Sequence, residues 1–112
     1  MQLGAQTYTI REYTQTEAGF RDAMRQLARI GYRTVQLSAV GKIAPQTMRR
    51  MCDENNLAIV LTHTDPERML KDPEGVIADH DILGCQYIGI GSMPPRYRTA
   101  EGVRRFAADF MI

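Results

Sequence analysis

His63 is the side chain in this sequence best suited to chemistry. It follows the apolar run Ala58-Ile59-Val60-Leu61 and lies between Thr62 and Thr64. An imidazole in that position can bind a metal, hydrogen-bond a sugar hydroxyl, or be satisfied by neighbouring backbone. A single histidine is not a metal centre, since a catalytic zinc takes about three protein ligands. Gln36 offers an amide that both donates and accepts but carries no charge and cannot act as a base. Gln6 and Tyr8 alternate with Leu3, Ala5 and Thr7, so a two-residue period puts both on one strand face. There Tyr8 is either a ligand wall or plain packing. Arg11 is suited to a phosphate or carboxylate, or to an ordinary ion pair. His80, between Val76 and Leu83, reads as a partly covered structural residue. No residue is assigned a catalytic role.

Four strand-then-helix units must position these groups. The first strand is expected over Leu3 to Thr9. Thr14-Gln15-Thr16-Glu17 has the form of a capping box, and Phe20, Ala23, Met24, Leu27 and Ala28 follow at helical spacing. Gly31 supplies the stop. A second strand spans Thr34 to Ala39, and Pro45 opens a helix with Met48, Met51 and Cys52 inward. Asn55-Asn56 end that helix. The third strand, Ala58 to Thr62, is the near-continuous apolar run expected when both sheet faces are covered. Asp65-Pro66-Glu67 marks a short turn, and Asp72-Pro73-Glu74 starts a helix to Leu83. A fourth strand covers Tyr87 to Ile90, Pro94-Pro95 forces a loop, and Thr99 caps a last helix carrying Val103, Phe106, Ala107 and Phe110.

Strand centres recur every ~24–30 residues, the spacing of βα units joined by right-handed crossovers into a parallel sheet. An eight-unit barrel of this type needs roughly 250 residues. Four units therefore make half of one, although a small open α/β sheet has the same periodicity. The chain is expected to be one partial domain over residues 1–112, ending inside its last helix at Phe110-Met111-Ile112.

The remaining features exclude more than they assign. Fourteen basic residues against thirteen acidic give a net charge of +1, no footprint for nucleic acid or an acidic membrane. Arg96, Arg98, Arg104 and Arg105 lack interleaved aromatics and read as solvated surface. Cys52 and Cys85 suit reduced, buried thiols in a cytoplasmic protein. Gly89-Ile90-Gly91 lacks the third glycine and the helix start of a dinucleotide motif. No segment approaches the ~20 apolar residues needed to span a bilayer.

In this setting Gln6-Thr7-Tyr8-Thr9-Ile10-Arg11-Glu12 resembles the first-strand motif of the xylose isomerase-like TIM barrels, in the sugar phosphate isomerase/epimerase branch. Leu27 to Leu37, with Ile30-Gly31-Tyr32, is similar to that family's second-strand motif. Leu57 to His63 resembles its third strand, which typically ends in His, and Leu83-Gly84-Cys85-Gln86-Tyr87-Ile88 its fourth. The four motifs stand in order and cover essentially the whole chain.

The resemblance implies an α/β fold of four βα units with a parallel sheet, the N-terminal half of a (β/α)8 TIM barrel. It implies a sugar or sugar-phosphate substrate bound at strand ends by His63, Gln36, Tyr8 and Gln6. Family members hold a divalent metal (Mn, Mg, Zn or Co), mostly from the later strands, and no metal is expected on this fragment alone. Gln36 stands where the family usually has Glu, a departure that removes a charge. Two functions follow: the N-terminal part of a metal-dependent isomerase or epimerase, incomplete by itself, or a non-catalytic half-barrel that self-associates through open sheet edges.

Overall fold

The computed structural model describes residues 2–110. Its elements run β1 (Gly4–Gln6), a 3-10 segment (Thr7–Tyr13), α1 (Glu17–Ile30), β2 (Thr34–Leu37), α2 (Pro45–Asp53) and β3 (Ala58–His63). They continue through α3 (Pro66–Lys71), α4 (Pro73–Leu83), β4 (Ile88–Gly89), a 3-10 turn (Pro95–Tyr97) and α5 (Ala100–Phe110). The four strands form one sheet in the order β1-β2-β3-β4, every pair parallel. Sequential parallel order with intervening helices is the arrangement expected of consecutive βα units.

One sheet face is sealed by helices. Val35, Leu37 and Ile59 point into a core with Phe20, Met24 and Leu27 of α1 and Met51 and Cys52 of α2. The α1 stripe is the one its spacing predicts. Gly31 ends the helix in the left-handed region at φ 116°, where a Cβ would be strained. Asn56 similarly takes φ 55° after α2.

The opposite face is open among the described residues. Val60 on it is 41% exposed, so the expectation that both faces of the third strand are covered does not hold for this chain. In a parallel barrel that face is the interior, lined by the remaining strands.

Several boundaries differ from the expectation for local reasons. β1 stops at Gln6, and the chain tightens into a 3-10 segment, interrupted at Ile10, instead of extending to Thr9. The cap of α1 is Thr16, whose hydroxyl accepts the Gly19 N–H at 3.1 Å. Thr14, the expected cap, is buried and bonds the Arg11 carbonyl instead. The Asp65 signal opens a true helix, α3, capped by its carboxylate on the Glu67 N–H. Thr99 caps α5 as its position predicts, accepting from the Gly102 N–H at 2.9 Å. Phe106 and Phe110 pack edge-on against Tyr97 at 5.2 and 6.3 Å. Met111 and Ile112 of the expected helix end lie outside the described residues.

Both cysteines are free and buried. Burial pushes the Cys52 thiol from 9.0 up to about 12, Asp53 adding to the effect and Arg49 opposing it. The unfolded thiol ionises above pH 9 while the folded one cannot, so the native state binds more protons there. Stability from this group is full below pH 9 and falls by about 1.4 kcal/mol per pH unit towards pH 12. Urea titrations of wild type and Cys52→Ala between pH 8 and 11 are expected to show this decline only with the cysteine. Parallel slopes would refute the assignment.

Candidate functional site

The site is built where β2 and β3 end, and a register irregularity turns its central residue into place. Thr34 pairs with Ala58 and Val35 with Ile59, but Gln36 pairs with Leu61 and Leu37 with Thr62. Val60 is the extra residue of a β-bulge. Strict alternation would put His63 on the same face as Ile59, against the helices. The bulge inverts that order: Thr62 faces the helix layer and His63 faces the open side with Gln36.

There the His63 ring is held at both nitrogens. Nε2 lies 2.5 Å from Gln36 Nε2, and Nδ1 lies 2.9 Å from Ser38 Oγ. With the amide N–H donating to Nε2, the ring proton sits on Nδ1 and is donated to Ser38. Rotating the amide reverses both roles. A neutral imidazole satisfies both contacts in either case. Gly91 packs against the ring: a Cβ there would lie 2.9 Å from Nδ1, closer than real Cβ atoms come. Any side chain at 91 would displace the imidazole.

Ser38 is fixed by Thr7. The Thr7 hydroxyl donates to the Ser38 carbonyl and accepts from the Ser38 N–H, both at 2.7 Å and both buried. A side chain thus prolongs the β1–β2 ladder past the point where β1 has coiled away. The next residue, Ala39, takes φ 55°, an uncommon and strained region for alanine. Its carbonyl is clamped by the Gln15 side-chain amide at 2.7 Å.

These residues border a cavity of about 470 Å³ lined by Gln6, Tyr8, Ser38, His63, Thr64 and Ser92, among others. Gln6 lies beside Gln36 in register. All four site residues expected from sequence therefore meet at one end of the sheet. Tyr8 arrives there from the 3-10 segment, which corrects its expected place on the strand alternation. Arg11 does something different from either expectation: its guanidinium stacks 4.4 Å above the Tyr8 ring and donates to the Tyr8 carbonyl. Ser38 directly follows β2, and nothing in the sequence signals its partnership with Thr7.

The chemistry available is neutral hydrogen bonding. Asp65 lines the rim, but its carboxylate is used as the α3 cap. Among the described residues no three His, Cys, Asp or Glu side chains converge on a cation-sized space. With both His63 nitrogens engaged as well, the residues present do not fit a divalent metal, and no step is derived through one.

His80 is more deeply buried than expected. Its Nδ1 is 2.7 Å from the Val76 carbonyl and its Nε2 2.6 Å from Thr62 Oγ1, so it is structural, on the helix side of β3.

No family model matches the chain, and no curated protein matches it. Solved structures do. A sugar phosphate isomerase/epimerase from Parabacteroides distasonis superposes with a TM-score of 0.75 at 23% identity, over 97% of this chain and 44% of that one. The fold is half of a TIM barrel. AP endonuclease, family 2 from Brucella melitensis gives 0.72 at 16% identity, covering 98% of this chain and 48% of that protein. A xylose isomerase domain containing protein from Salmonella typhimurium gives 0.61 at 16% identity, covering 96% and 44%. The chain thus spans less than half the length of the structures it matches. At these identities the likeness establishes the fold. No described helix is long and apolar enough to cross a membrane.

Proposed function

We propose that this chain is the N-terminal half of a sugar or sugar-phosphate isomerase/epimerase, supplying one wall of the substrate site. The observation that carries this reading is the Gln36–His63–Ser38 cluster at the carboxyl ends of β2 and β3. Ligands in parallel βα folds bind at that end. An uncharged cluster of amide, imidazole and hydroxyl, beside an exposed tyrosine, matches the polar edges and apolar faces of a sugar. The metal and the acids for proton transfer fall to the second half of the barrel, because Gln36 cannot be a base. Nucleic acid and membrane are not expected partners, and a cytoplasmic location is expected.

A second reading is a self-associating half-barrel that binds ligand without catalysis. It is favoured by the free edges of β1 and β4, whose unpaired backbone groups recruit other strands, and by the uncovered Val60 face.

Saturation-transfer NMR against a panel of pentose, hexose and phosphorylated sugars, with light scattering on the same samples, tests both. A sugar contact that His63→Ala weakens at least ~10-fold, the loss of about one charged or two neutral hydrogen bonds, supports the site. Binding unaffected by His63→Ala sinks it. A concentration-independent dimer favours the second reading and a monomer opposes it. In a protein carrying both halves, divalent-metal-dependent isomerisation is expected, and its absence with every metal would overturn the enzyme reading.

A further inference from the structure

The His80 network reaches beyond the core. Thr62 Oγ1 is bonded on one side to His80 Nε2 at 2.6 Å and on the other to Thr64 Oγ1 at 2.9 Å. Thr64 lines the strand-end cavity with His63 and Tyr8. The direction of every bond in this chain is fixed by its buried end. The Val76 carbonyl can only accept, so His80 Nδ1 must carry a proton. In neutral His80, Nε2 is then an acceptor and takes the Thr62 hydroxyl proton. Thr62 has no second proton, so its oxygen must accept from Thr64. Thr64, its only hydroxyl proton spent inward, turns lone pairs to the cavity.

We infer that Thr62 and His80 are positioning residues that set Thr64 as a hydrogen-bond acceptor towards the cavity. Thr64 is thus a specificity-determining contact that selects a ligand donor, such as a hydroxyl. The wiring stands apart from the sugar reading; only the identity of the donating group rests on it.

The other titratable groups near His80 are accounted for. Arg68 of α3 pairs with Asp79 of α4 at 2.7 Å, and Arg49 pairs with Asp53, both on α2, at 2.9 Å. Lys42, Asp65 and His63 share the neighbouring cavity that His80 lines, and none of these is among its hydrogen-bond partners.

Long-range 1H–15N NMR of the unliganded chain tests the relay without any ligand. His80 is expected in the Nδ1–H tautomer, with the Nε2 resonance of a hydrogen-bonded acceptor. In Thr62→Val, which keeps the side-chain shape, the Nδ1–H tautomer should persist while the Nε2 resonance moves to that of an unbonded nitrogen. An Nε2–H tautomer, or an Nε2 resonance unmoved by Thr62→Val, would overturn the inference. Should Thr62→Val not fold, the tautomer and Nε2 resonance of the wild type decide the matter alone. A sugar panel that fails to bind leaves these readouts unchanged, so the two readings fail separately.

Discussion

Phe20→Ala is expected to lower the unfolding free energy by about 3–5 kcal/mol, the usual cost of emptying a buried aromatic site. Phe20 is fully buried on α1, and the cluster around it draws on α1, α2 and two strands. The hole would lie at the junction of the helix layer and the covered sheet face. Partial collapse is opposed because β2 and β3 are tied by their ladder. Domains of this size are stable by only about 5–15 kcal/mol, so the variant is expected to lose roughly a fifth or more of its margin. Urea denaturation followed by circular dichroism measures this through the midpoint at unchanged slope. A loss below about 1 kcal/mol would mean that the helix layer is not packed as described.

Thr7→Val is expected to cost about 2–4 kcal/mol, although it changes the side-chain volume little. The loss arises because one hydroxyl serves both the N–H and the C=O of Ser38, and its removal orphans two backbone groups away from water. The change also reaches the site, since Ser38 is the Nδ1 partner of His63. Amide exchange at Ser38 should accelerate in step with the lost stability, and ring resonances of His63 should shift. Thr7→Ser keeps the hydroxyl and should cost only about 1 kcal/mol for the lost methyl. Equal losses in the two variants would show that the methyl, not the double hydrogen bond, matters.

Much of this was legible in the residue order. The Phe20-Met24-Leu27 stripe, Gly31 at a left-handed stop and Pro73 after Asp72 specify helices through short-range sterics and local hydrogen bonds, whereas Asp65-Pro66-Glu67 reads as a turn and opens α3. Such terms act within a few residues, so periodicity captures them. The strand ends were less secure. Thr7 and Thr9 are good β-formers, yet the chain coils at 7 because the Thr7 hydroxyl bonds across to Ser38, a partner 31 residues away. Local propensity carries no information about such a partner.

The sequence alone determined four βα units, a parallel sheet, and the set Gln6, Tyr8, Gln36 and His63 at the carboxyl end of its strands. The tertiary structure decided which way these residues face. One bulge at Val60 sends Thr62 to His80 and His63 to Gln36, where unbroken alternation would have buried the imidazole among helices. A bulge is a property of two strands in register, set by the pairing of β2 with β3, and no single strand's residue order contains it.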